Sequence, residues 1–286
     1  MIDCHAHLWD LDGGYPWIRP GTPYHRTFTA EDLAESGADL ELTGTILVES
    51  SRGDRGENVL LRDLRLRHPD LIAGHVGNLN SCAGLGPARF AEFLAQTRPN
   101  GMRLGGASWD ATPPSARSLV PTLAGLGVAL GLNLHHAAVR VAAEVAARHP
   151  ALTVIVDHLG NPANLGTADP GEWREQVRRA ARVPNVIMKI SGLLTQQHGV
   201  PEERVADLVA YAAEAFGPDR CVIGSDWPIC LPRGSRGESL RLARRGLAAL
   251  SDAERLRVLR TTAERVYGLA APVDNGPEPL LRCSDR

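Results

Sequence analysis

The sequence has little cysteine and no pairing pattern for what it has. Cys4, Cys82, Cys221, Cys230 and Cys283 are five in 286 residues, an odd number and widely scattered. None forms a C-x-x-C pair, which argues against a zinc–cysteine centre and against a disulfide framework. Reduced thiols in a cytoplasmic protein are the simplest expectation. An excess of charge of one sign is also missing. Lys and Arg total 31, Asp and Glu 33, for a formal net charge of -2, so nothing draws the chain to nucleic acid or to an anionic membrane. No apolar run approaches the roughly 18 residues of a membrane span. The opening MIDCHAHLWD has neither the basic nor the long apolar segment of a signal peptide. The partner expected is a small-molecule substrate. A homo-oligomer is left open.

What is present is a rhythm. Eight short apolar runs cover 2–8, 44–49, 71–76, 101–104, 128–134, 152–156, 186–190 and 221–224. They are largely apolar, several rich in β-branched residues, as parallel strands covered on both faces require. Helical spacing lies between them. Thr29 and Asp32 have the spacing of a capping box. Val205, Leu208, Val209 and Ala212 follow i, i+3, i+4, i+7, and Leu256, Leu259, Ala263 and Val266 form a similar stripe near the end. Strand and helix in alternation predict an α/β protein with a parallel sheet. Eight βα units can close a single (β/α)8 TIM barrel over 1–270; a doubly wound open sheet is the alternative. The Pro-rich, polar end, 271–286, reads as an extended tail.

One segment breaks the rhythm. Residues 9–28 carry Gly13, Gly14, Pro16, Pro20, Gly21 and Pro23 with Trp9, Tyr15, Trp17 and Tyr24. This reads as a long loop after the first strand. In a barrel it sits over the active-site face, as a substrate wall or as a plain packed loop. Rings such as Trp17 can stack on a sugar-like ring.

Three strand ends carry chemistry. His5 and His7 close the first run, and residues two apart on a strand share a side. His is the commonest metal ligand and a good acid or base. His158 follows the sixth run in VIVDHLGNP, and Asp226 follows the eighth in CVIGSDWPICLP. Each signal alone is modest. In a barrel all four residues converge on one mouth.

On these residues the chain resembles the amidohydrolase superfamily, in its amidohydrolase-2 branch. IDCHAHLWD resembles the family's opening motif, DHLGNP its sixth-strand motif and GSDWP its eighth-strand motif; TTAERVYGL is similar to its closing helix. Within the branch, LVESSRGDRGEN, GMRLGG and KISGL resemble the lactonase-like group. The resemblance implies a (β/α)8 barrel and hydrolysis of a sugar-acid lactone or a pyrone dicarboxylate lactone. It places Arg103 at the site as a binder of a substrate oxygen, and Lys189 near the mouth as a further substrate-binding residue. Glu49 stands where the family pattern usually has Gln, so it is a second acid or base, or a partner of Arg52 or Arg103. His135 either ligates metal from strand five or, with His136, begins the next helix.

The expected mechanism has Asp226 take a proton from water and return it to the leaving hydroxyl. His5, His7, His158 and Asp226 can hold one zinc or manganese ion with an open position for water. Members of the branch that work without metal leave the histidines as hydrogen-bond donors to the carbonyl. Two other readings stand beside the lactonase. One is a metal-dependent non-oxidative decarboxylase on the same residues, and the other is a catalytically inactive ligand-binding barrel.

Overall fold

A computed structural model describes residues 1–269; the tail expected over 271–286 lies outside the described residues. Eight parallel strands follow one another in chain order. They are β1 (Ile2–Ala6), β2 (Gly44–Val48), β3 (Ile72–Asn78), β4 (Gly101–Gly106), β5 (Ala129–Leu134), β6 (Val154–Val156), β7 (Val186–Ile190) and β8 (Cys221–Ile223). Beyond its last residue, β8 returns to β1. Ala6 and Trp227 form a parallel bridge, His7 N–H donates to Trp227 O at 2.7 Å, and Asp226 N–H donates to His5 O at 2.8 Å. The sheet is therefore a (β/α)8 TIM barrel, and the open doubly wound sheet is excluded. Every run expected to be a strand is one, with ends shifted by a few residues at most.

The strands are apolar on both faces because one lines the barrel and the other meets the helices. Ile2, Cys4, Ile46, Val48, Val76, Ala129, Ile155, Ile187 and Val222 form a single cluster, with contributions from seven of the eight strands. A cluster fed by so many strands is the lumen. Tyr267, Ala263 and Val266 pack into it from the closing helical segment and plug the lumen. A second, larger cluster holds Leu104, Leu130, Leu132, Val154, Met188 and Ile223 against the helix faces.

The helices carry their signals where the sequence puts them. Thr29 and Asp32 bond reciprocally at the start of the helix Ala30–Ser36, satisfying two otherwise unpaired N–H groups. In the helix Glu202–Phe216, Val205, Leu208, Val209 and Ala212 are all buried. The last stripe is only partly right. A π-helical turn, Arg257–Thr261, interrupts the closing helix and shifts its register, so Leu256 is exposed while Val258 is buried. An inserted residue of this kind breaks the 3.6-residue period that the stripe assumes.

Candidate active site

The C-terminal ends of the strands surround a cavity of about 690 Å³, and His7, His158, Asp226, Arg103, Trp17 and His135 are among its walls. His5 is completely buried just beneath. Three of these residues meet at the seam that closes the barrel. His5 Nε2 is 3.8 Å and His7 Nε2 3.5 Å from the same oxygen, Asp226 Oδ1. The local sequence explains the approach. A side chain at Gly224 would put its Cβ 2.5 Å from His5 Cβ, so only glycine lets β8 press against β1. Asp226 itself adopts φ +62, a left-handed conformation that costs about 1–3 kcal/mol and is typical of functional sites.

Behind the seam lies a buried charged strut. Asp3 accepts from His5 N–H (3.1 Å) and Ser225 N–H (2.8 Å) through Oδ1. Its Oδ2 accepts from the Ser225 hydroxyl (2.6 Å) and Arg236 Nε (2.9 Å). Arg236 also donates to Thr45 Oγ1 at 2.6 Å and Leu33 O at 3.0 Å. The backbone on either side of His5 and Asp226 is thus pinned from outside the barrel.

His158 does not sit on regular structure. Residues His158, Leu159, Gly160 and Asn161 all have positive φ, between 54 and 77 degrees, so the chain coils left-handed as it leaves β6. The turn aims the imidazole into the mouth, and Ser191 Oγ holds its Nδ1 at 2.9 Å. Gly192 makes room for the ring: a Cβ there would lie 2.7 Å from His158 Nδ1.

The electrostatics favour neutral rings around an ionised carboxylate. Burial, then the neighbouring His158, Lys189, His7 and Arg103, hold His5 well below its usual range. Burial also lowers His158, against the pull of Asp226 and Asp157. Burial alone would raise Asp226, but His158, His7 and Arg103 outweigh it and hold the carboxyl below its ordinary range.

These atoms fit a divalent cation. His5, His158 and Asp226 each offer a ligand atom within 4.8 Å of the others, and both ring nitrogens of the buried His5 lack a hydrogen-bond partner. His7 Nδ1 lies 2.9 Å from Val48 O. A carbonyl only accepts, so this nitrogen carries a proton and Nε2 is the nitrogen that faces Asp226. Acceptors converging in a buried site need a proton or a metal ion between them. Of the four ligands expected, His7 falls outside the tight group of three.

The remaining residues separate. Arg103 and Trp17 reach the cavity wall. Trp17 is fixed by donation from its Nε1 to Ser50 O at 2.6 Å and by an edge contact with Trp9 at 5.4 Å, so the loop over 9–28 does build a wall. Glu49 does not line the cavity. It accepts from Arg103 Nε (2.5 Å), Asn78 Nδ2 (2.8 Å) and Ser51 N–H (2.7 Å), which makes it the partner of Arg103; Arg52 pairs with Asp54 instead. Lys189 also stays away from the mouth. Its Nζ meets Asp157 Oδ1 at 2.7 Å, within 5.7 Å of the Tyr267 ring centre, because its strand position points it down the lumen. His135 lies in the bend before the helix Ala138–Arg148, exposed and outside the tight group.

Several residues around the site carry no sequence signal of their own. Asn133, Asn161, Thr195 and Gln196 line the cavity, and Thr195 Oγ1 is 3.3 Å from Asp226 Oδ2. Ser191 lies inside KISGL, and Asp157 and Asn161 inside DHLGNP; for Ser191 and Asn161 a polar residue beside a glycine was the available clue.

Residues 2–269 match the family model described as Amidohydrolase. The chain belongs to the amidohydrolase family. This amidohydrolase is 31% identical over 296 residues to an L-fucono-1,5-lactonase of Burkholderia multivorans, covering 96% of this chain and 97% of that protein. It is 28% identical to an L-fucono-1,5-lactonase of Burkholderia ambifaria, over 83% of each chain. Among solved structures, a Burkholderia multivorans amidohydrolase with bound zinc superposes with a TM-score of 0.79 at 29% identity, covering 94% of this chain and 99% of that one. The likeness to the lactonase-like group, expected from the motifs, is borne out by these relatives. Among the described residues no helix is long and apolar enough to cross a membrane.

Proposed function

We propose that this amidohydrolase opens a sugar-acid lactone by water attack, with Asp226 as base and then acid. The observation that carries the proposal is the ionised Asp226 carboxylate among three imidazoles at the mouth of the barrel, in a chain similar to two L-fucono-1,5-lactonases. Asp226 takes a proton from water as the water oxygen bonds to the lactone carbonyl carbon. The tetrahedral centre then collapses, the ring C–O bond breaks, and Asp226 returns the proton to the departing oxygen. The products are a free hydroxyl and a carboxylic acid.

The wall supports a polyhydroxylated substrate. Asn133, Asn161, Gln196 and Thr195 offer neutral donors and acceptors, and Trp17 offers a ring face. Arg103 Nε and one terminal nitrogen are held by Glu49, while Nη1 has no protein acceptor among the described residues. That nitrogen is the donor we assign to a substrate oxygen.

His5, His158 and Asp226, with His7 at the edge, would hold one divalent ion, zinc or manganese. When bound it would act as a Lewis acid and lower the pKa of a water ligand to about 7. Four cysteines, Cys4, Cys82, Cys221 and Cys230, are free and buried, in keeping with a reducing cytoplasm.

The test is acid release, followed with a pH indicator, over a panel of aldonolactones and 2-pyrone-4,6-dicarboxylate, with and without chelator. Hydrolysis of an aldonolactone is expected, lost on chelation and restored by zinc or manganese. Acid release from no lactone, with carbon dioxide release from an aromatic acid, would replace this reading with a decarboxylase.

A further inference from the structure

Two ion pairs lie beneath the cavity, and one of them bears on what the site accepts. Asp157 cancels Lys189 inside the lumen, and Glu49 cancels Arg103 at the wall. Glu49 is held in place rather than left to swing away, since Asn78 Nδ2 and Ser51 N–H both donate to its Oε2. Glu57 stands behind it, accepting from Ser50 N–H at 2.5 Å and Arg52 N–H at 3.1 Å. Of the residues that line the cavity, only Arg103 and Asp226 carry a full charge apart from the histidines. With Arg103 balanced by Glu49, the protein's own contribution at the wall is one uncompensated negative charge, Asp226.

Building on the lactonase reading, we propose that Glu49 is a specificity-determining residue, which discharges Arg103 so that the site takes neutral lactones and refuses those bearing an extra carboxylate. Arg103 remains a hydrogen-bond donor through Nη1 but is no longer a cation free to pair with substrate. A substrate carboxylate would have to displace a buried carboxylate held by three donors, Arg103 Nε, Asn78 Nδ2 and Ser51 N–H. A substrate hydroxyl or carbonyl needs only the free N–H. A buried guanidinium without Glu49 would instead be a strong, bidentate carboxylate receptor.

The experiment compares the isolated protein with Glu49→Gln, which keeps the shape and the Asn78 contact but removes the charge. Two probes are used, L-fucono-1,5-lactone and 2-pyrone-4,6-dicarboxylate. Binding of the dicarboxylate is read by titration calorimetry, so the result does not depend on turnover. Glu49→Gln is expected to bind the dicarboxylate at least about tenfold more tightly, which is 1.4 kcal/mol, without a matching gain for the neutral lactone. The double variant Glu49→Gln/Arg103→Gln is expected to lose that gain. Equal effects on both probes, or no effect on either, would overturn the proposal. If Glu49→Gln does not fold, the parent still decides. With any metal first removed by chelator, raising the salt concentration should leave its dicarboxylate binding unchanged or strengthen it, because screening relieves repulsion. Binding by the chelator-treated parent that weakens with salt reveals a free cation at Arg103 and refutes the idea. A parent that hydrolyses no lactone would defeat the functional reading alone, since the charge effect is measured by binding.

Discussion

Ser191 Oγ lies 2.9 Å from Nδ1 of His158, and this contact sets which nitrogen of the ring faces the reaction. With Nδ1 engaged, Nε2 is left for a metal ion or a substrate oxygen. Contacts of this kind fix the tautomer and orientation of a ligand histidine, and losing one typically costs about 10–100-fold in metal affinity or activity. Ser191→Ala is expected to reduce kcat and zinc affinity by that order, with a melting temperature close to the parent's. A competition titration with a chromophoric chelator reads the zinc affinity. Unchanged affinity and unchanged kcat would show that the ring is held by packing alone.

Asp226→Asn keeps the size of the side chain and removes the base. Turnover should fall by about 10²–10⁴-fold, while circular dichroism and the melting curve stay near the parent's. Near-parent hydrolysis would remove Asp226 from the role of proton carrier.

Arg236→Met tests the strut behind the seam. Arg236 and Asp3 are both fully buried, and removing one member of such a pair leaves an uncompensated charge, at a cost of about 3–5 kcal/mol. Urea unfolding should show a loss of that size. Because Asp3 also holds the His5 and Ser225 N–H groups, kcat should drop as well, although Arg236 never touches the cavity. A stability loss under 1 kcal/mol would mean that water or a neighbour replaces the guanidinium.

His75 predicts an acid-sensitive step remote from the site. It is fully buried with neither ring nitrogen bonded, and burial, with Arg65 nearby, pulls its pKa from 6.5 to about 3. The folded state therefore resists protonation that the unfolded chain accepts. The stability this group contributes is complete above pH 6.5 and drains away as the pH falls towards 3, by up to about 1.4 kcal/mol per unit. His75→Leu should flatten the decline between pH 6 and pH 4 in a series of urea titrations. An identical slope in parent and variant would show that other groups cause it.

Reading the chain alone succeeded where the signal is local. The eight runs became eight strands because a strand covered on both faces must be apolar throughout, and that pattern is written in consecutive residues. The capping pair Thr29–Asp32 was legible for the same reason. So were His5, His7, His158 and Asp226, since the end of a barrel strand is where side chains meet. The stripe through Leu256 failed because a π turn changes the period without any clear mark in composition.

What the sequence by itself determined is the eight strand runs, their alternation with helices and the polar residues at their ends; closure into a barrel rests on the contacts between β8 and β1. Only the tertiary structure decided how charges are shared. Glu49 and Arg103 are 54 positions apart, Lys189 on β7 meets Asp157 just beyond the end of β6, and Asp3 meets Arg236 across 233. Such pairings depend on angles and depths inside a closed barrel, where a buried charge must find its opposite. Composition lists the charges, but only the packed fold says which of them are already spoken for and which are left to face a substrate.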